Sequence, residues 1–143
     1  MSFPHRPITL ILALALLSRS LVQQGKTAEA QQAVAKATPL SQKSSDVITH
    51  LDFEIASAYA LAAAKNLVAA ERLARDAQAE SKRLGLFHTH LEAALAFGEI
   101  QMMDRNPYAG RPLLQQVVKD ARAKGFTFIA RKASAALERK SSE

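Results

Sequence analysis

The sequence contains no cysteine, which removes disulfide frameworks, thiolate metal sites and cysteine nucleophiles at once. The compartment stays open, because cytoplasmic proteins and helical periplasmic ones can both lack cysteine. Glycine and proline are scarce, five of each in 143 residues, and aromatic residues make up 6%. With Ala, Leu, Gln, Lys and Glu abundant and β-branched residues scattered, this composition favours helix over sheet. A Gly-rich phosphate loop, a GxSxG elbow and an HExxH pair are all missing, and no motif places two carboxylates for acid-base work. No residue is therefore nominated for catalysis, no cofactor or metal is expected, and the expectation is a protein that is not an enzyme.

The length suffices for one ordinary domain, burying roughly 70% of the surface of the unfolded chain without a covalent staple. The net charge of +6 is uneven: residues 1–104 carry ten Lys/Arg and ten Asp/Glu, whereas residues 105–143 carry nine basic against three acidic. The excess belongs to the C-terminal end. The apolar run from Ile8 to Leu17 follows His5 and Arg6 and admits two readings. It has the length of a signal-peptide core, with Ser18 and Ser20 making a weak cleavage site. It also reads as a core helix that lacks, or packs against, a neighbour. As a single helix it is too short to span a bilayer.

An internal period of 40 residues organises the chain. Ala30, Ala70 and Gly110 share one register, as do Ala33, Leu73 and Leu113, and Ala37, Ala77 and Val117. Ser18, Ala58 and Gly98 form a further column, and Gly85 and Gly125 another. Where two antiparallel helices cross closely, only Gly, Ala or Ser lets the backbones approach while larger neighbours interlock around them. Columns of small residues thus mark a repeated helical hairpin. One hairpin cannot bury its own apolar face, so several must stack.

Helical stripes support each segment: Ile48, Leu51, Ile55, Ala58, Tyr59 and Ala62; then Ala70, Leu73, Ala74, Ala77, Ser81 and Leu84; then Leu91, Ala94, Leu95, Gly98 and Met102. Thr89 with Glu92 fits a capping box, and Asn106 with Pro107 an N-cap followed by a first-turn proline. Lys82, Arg83 and Gly85, and again Arg122, Lys124 and Gly125, place cations and a left-handed glycine at two helix ends. The pattern predicts helices over 7–24, 28–41, 46–64, 68–84, 90–103, 107–124 and 127–139. Pro39 is expected to end or kink the second helix, and Pro112 suggests that the sixth starts near it and not at Pro107.

The stretch Gln24-Gly25-Lys26-Thr27-Ala28-Glu29-Ala30 resembles the inter-helix turn of a tetratricopeptide repeat, and Leu14, Leu17, Ser18 and Leu21 stand where that family places its large, large, small and large residues. Phe97 with Gly98 match in the third unit. Lys65 and Arg105 depart at the turn glycine, and the unit exceeds the family's usual length. From Leu14 onward the chain is also similar to C-terminal repeat regions of acidobacterial multidomain regulators, through LLSRSLVQQGKTAEAQQAV, LAFGEI and DARAKGFTFIARKA. The resemblance implies one all-α domain over 1–143: a right-handed superhelical stack of three antiparallel hairpins, about 7–45, 46–85 and 86–125, closed by a capping helix over 126–140. Phe126, Ile129, Ala133 and Leu137 would cover the third hairpin.

In tetratricopeptide arrays the first helices line a concave groove that receives a peptide. Carried over by register, Arg19, Tyr59 and Glu99 share one column and Asp52 and Glu92 another, with Met102 as an adaptable apolar contact. Their mixed signs favour a polar peptide with some positive charge. The expected function is a scaffold or sensor module for a protein or peptide partner, cytoplasmic unless 1–20 is a signal peptide or the chain belongs to a membrane-anchored regulator. Two other classes compete. The basic residues Lys119, Arg122, Lys124, Arg131, Lys132, Arg139 and Lys140 suggest a nucleic-acid-binding helical domain, although they spread over several faces and no aromatic accompanies them. The apolar first helix suggests a structural spacer or a homo-oligomer. His88, His90 and Glu92 have a loose metal-ligand look, but side chains two apart on a helix diverge, so a helix entrance with exposed histidines is the plainer reading. His5 and His50 read as isolated and exposed.

Overall fold

The computed structural model describes residues 6–104 and 107–139. Among them are α1 (Arg6–Gln23), α2 (Thr27–Lys43), α3 (Val47–Ala63), α4 (Leu67–Arg83), α5 (Phe87–Met103), a 3-10 turn (Pro107–Ala109), α6 (Gly110–Ala123) and α7 (Thr127–Glu138), with no strand. No helix among the described residues is long and apolar enough to cross a membrane. The helices α2, α3, α4 and α5 are each 17 residues long and begin 20 residues apart, so the 40-residue unit is two nearly equal halves. Each half is one helix and a three-residue connection. The all-helical, consecutive arrangement fits a helical repeat.

One turn recurs four times. At Gly25, Lys65, Gly85 and Gly125 the backbone is left-handed, with φ of 76°, 68°, 73° and 78°. In each case the following N–H reaches back to close a six-residue ring: Lys26 to Leu21, Asn66 to Leu61, Leu86 to Ser81 and Phe126 to Ala121, at 2.8 to 2.9 Å. These are Schellman caps, which satisfy the last carbonyls of one helix. The residue after the left-handed position then starts the next helix by accepting from four residues on, as Lys26 does from the Ala30 N–H at 3.0 Å. Lysine at position 65 holds a conformation that disfavours any Cβ. Lys65→Gly should therefore raise stability by about 0.5–1 kcal/mol, the relief of left-handed strain less the entropy of glycine in the unfolded chain. Urea denaturation of the two proteins measures it.

The chain divides into two compact units, 1–70 and 71–143, with the boundary in the first turn of α4. In the N-terminal unit α1, α2 and α3 pack on one another. Ile11, Ala15 and Ser18 of α1, Ala30, Ala33, Ala37 and Ser41 of α2, and Leu51 and Ile55 of α3 are buried. The Ser18 hydroxyl donates to the Ala30 carbonyl at 3.0 Å, so the two small columns seen in the sequence meet at this crossing. The run Ile8 to Leu17 lies inside α1. Asp46 caps α3, accepting from the Thr49 N–H at 2.9 Å and its hydroxyl at 2.5 Å. These bonds hold its carboxyl below the usual range.

In the C-terminal unit α5, α6 and α7 pack around Leu91, Leu95, Leu114, Val117, Ala121, Ile129 and Ala133, with Phe126 and Leu137 partly buried against them. Burying each of these leucines contributes about 2–3 kcal/mol. The four residues expected to cover the third hairpin, Phe126, Ile129, Ala133 and Leu137, all pack in or against this cluster. Elsewhere the expectations shift. The helix α2 runs through Pro39 to Lys43, because Pro39 and Ala35 are both exposed and water can satisfy the carbonyl that proline leaves unbonded. Pro112 sits in the first turn of α6, where an N–H would have no helical partner. The capping box at Thr89 does not form: α5 already begins at Phe87 after Leu86, which offers no side-chain cap. Asn106 lies outside the described residues.

Candidate functional site

Two helices of the N-terminal unit, α1 and α3, occupy the same half of the repeat, and residues 40 apart stand at the same height on each. Arg19 and Tyr59 are such a pair, and the Arg19 guanidinium lies 5.0 Å from the centre of the Tyr59 ring, both side chains half-buried. A contact of this kind is worth about 0.5–1 kcal/mol at a partly exposed site. Asp52, half-buried, is two turns before Tyr59 on the same side of α3. Two residues before Asp52 and facing away from it, His50 is not isolated. Its Nδ1 meets the Ser41 hydroxyl at 3.1 Å and its Nε2 the Glu54 carboxylate at 3.1 Å, tying α3 to α2.

The C-terminal unit repeats the arrangement with different chemistry. Glu92 and Glu99 lie half-buried two turns apart on α5. Glu99 pairs with Arg139 at 3.5 Å, and Arg139 is itself the next member of the column formed by residues 19, 59 and 99. The sequence reading missed Arg139, although the same 40-residue step carried one unit further reaches it. Met102 is drawn toward the core: it packs against the cluster around Leu114 and stands beside Gly110 at the α5–α6 contact. Arg75 of α4 covers the Phe97 ring at 5.4 Å. Near it, burial raises the Glu71 carboxyl above its ordinary value of 4.5, and the Asp104 carboxylate adds to the rise against the lowering effect of Arg75 and Gln101.

A carboxyl with a raised folded-state value favours the fold while protonated and loses that contribution as pH rises through its titration. Glu71→Gln is therefore expected to stabilise the protein at neutral pH. The gain should vanish below pH 4.5, where Glu71 is protonated in folded and unfolded chains alike. Thermal melts across pH 3.5 to 8 read this directly; an equal effect at both ends would refute it.

The remaining clusters resolve plainly. His88 is exposed and meets Phe126 edge-on at 5.1 Å, while His90 is half-buried with its Nδ1 3.1 Å from the Gln78 carbonyl. No group of three ligating side chains suited to a metal occurs among the described residues. Aromatic rings do accompany two of the C-terminal cations, contrary to the expectation from sequence: Lys132 lies 4.4 Å from the Phe128 ring and Lys124 5.2 Å from Phe87. Each ammonium covers a ring face that a base would need for stacking. Arg122 and Arg131 border an open groove of about 570 Å³ between α6 and α7, together with Thr127, Ser134 and Glu138. A second cleft of about 410 Å³ has Leu91, Ala94 and Val117 among its lining, beside Lys82, His90 and Asp120.

No protein-family model, curated protein or solved structure matches the chain. The functional reading therefore rests on the chain's own residues.

Proposed function

We propose that this chain is a protein-interaction module that holds a polar protein or peptide segment on the surface of α1 and α3, with the corresponding surface of α5 and α7 as a second contact. The supporting observation is the pairing of column residues across neighbouring helices: Arg19 with Tyr59 in one unit and Glu99 with Arg139 in the other. Side chains repeated at one height on successive helices form a continuous row within each unit, which suits an extended segment. The same reading makes the chain tetratricopeptide-like, its hairpins α1–α2, α3–α4 and α5–α6 stacking in a right-handed sense with α7 as the cap. It assigns no catalytic step.

Each unit's row sets the charge it selects. Asp52 supplies acid beside the flat cationic-aromatic pair of Arg19 and Tyr59 in the N-terminal unit, and Glu92 and Glu99 supply acid in the C-terminal unit. Asp52, Glu92 and Glu99 together carry the preference for a cationic segment. A peptide selected from a random display library on the wild-type protein provides the probe. Glu92→Lys combined with Glu99→Lys should weaken its binding by roughly 10-fold or more, as expected for like-charge juxtaposition. Calorimetry that found the affinity unchanged for every selected peptide would remove this surface as the site.

A further inference from the structure

The first helix carries a second surface, on a different side from Arg19. Thr9, Ala13, Leu16, Leu17 and Ser20 of α1 are all exposed, Leu16 at 70%. Forty residues on, Thr49, Ala56, Ser57 and Ala60 of α3 are buried and Phe53 is half-buried. Eighty residues on, Thr89, Ala93, Ala96 and Ile100 of α5 are buried and Phe97 is half-buried. The stripe has the spacing of a continuous helix face. Leu10, exposed at 47% and two turns before Leu17 on the same side, borders it. Position by position, α1 leaves open the face that the later first helices cover.

We infer that this face is the contact between two copies of the chain, packed α1 against α1 about a two-fold axis. Three observations select that occupant. No charged residue occurs from Pro7 to Ser18, so the face offers a charged partner no counter-charge for the groups it would desolvate, whereas a second copy meets it leucine on leucine. Side-chain size argues against a further hairpin of the internal kind. At the most exposed position of α1, Leu16, the buried equivalents are small, Ala56 in α3 and Ala96 in α5, so a hairpin packed as closely as the internal ones would meet the leucine side chain. The far end of the chain argues against head-to-tail joining. On α7, the positions equivalent to the buried Leu91 and Gly98 of α5 are Arg131 and Glu138, both exposed, and burying them against leucine would strand two charges.

The area is adequate for a modest dimer. Leu10, Leu16 and Leu17 present roughly 300 Å² of apolar surface, within the range of the largest patch on an ordinary monomer. Two copies would remove about 600 Å² from these leucines alone, and Pro7, Thr9, Ala13 and Ser20 around them bring the total to roughly 1,000 Å², the lower limit of specific interfaces.

Sedimentation equilibrium of the full chain over a dilution series tests the inference. The expected result is an average mass that rises with concentration from the monomer's 15.5 kDa toward twice that value. Leu16→Glu should weaken association roughly 10-fold or more, with helical circular dichroism unchanged because the replaced side chain is exposed. A probe that does not rely on this variant folding uses the absence of native cysteine: Ala13→Cys should cross-link into dimers with a short bismaleimide, and Gln32→Cys on the exposed side of α2 should not. A chain that stays monomeric at every concentration, leaving the face to a segment of a different protein, overturns the inference. So does a dimer indifferent to Leu16→Glu, or equal cross-linking from both cysteines.

Discussion

Replacing Gly110 with alanine is expected to destabilise the protein by about 3 kcal/mol, the upper end of what overpacking by one methyl group does. For a chain of this size that lowers the thermal midpoint by about 10 °C. Gly110 opens α6 where that helix crosses α5. A Cβ placed there would lie 2.7 Å from the Gly98 carbonyl oxygen, 2.8 Å from Met102 Cγ and 2.9 Å from the Met102 backbone nitrogen. Two of these three contacts are with backbone, so neither a rotamer change nor a smaller neighbour removes them. Helix propensity points the opposite way, since alanine is favoured over glycine by up to about 1 kcal/mol in a helix interior. The sign of the result thus separates close backbone approach from local preference. Met102→Ala should give little rescue, because it removes only the side-chain contact. A neutral or stabilising Gly110→Ala would show that α5 and α6 are not held this close.

The columns that announced these crossings were legible because a close helix contact imposes a size limit, and a size limit leaves a mark in composition. Ser18 and Ala30, then Gly98 and Gly110, align by register alone and do meet in pairs. The turn glycines were equally readable. Lys65 was not, since a lysine in a left-handed turn carries no compositional sign of it; only its register with Gly25 points there. The start of α5 was misjudged by three residues, because the Schellman turn leads straight into that helix and Leu86 provides no polar side-chain cap to look for. At the site, the same 40-residue step that predicted Arg19 beside Tyr59 also contained Arg139, and following it one unit further would have found the partner of Glu99. The pairing of His50 with Ser41 belongs to another order of information. It joins two helices whose rotation about their own axes is set by core packing, which periodicity alone does not fix.

A second crossing contact is expected to behave differently because side chains, and not backbone, define it. A Cβ at Gly98 would meet Leu114 Cδ2 at 2.7 Å and Cγ at 2.9 Å, and Leu114 is fully buried, with no room to swing away. Gly98→Ala should therefore destabilise by about 1–2 kcal/mol even after its gain in helix propensity. Leu114→Ala alone empties part of the core and should destabilise by about 2–5 kcal/mol. Combined, the two changes should fall short of their sum by about 1–2 kcal/mol, because the new methyl occupies space the leucine has vacated. At the positions of Gly98 and Leu114 the sequence has Ser18 and Val34 in the first repeat and Ala58 and Ala74 in the second, so wherever the inner residue carries a Cβ the outer one is smaller than leucine. The double variant would recreate the second unit's pair inside the third. Urea denaturation of the four proteins measures the coupling, and strict additivity would mean that the side chains at these positions vary independently and that the shared volume is illusory.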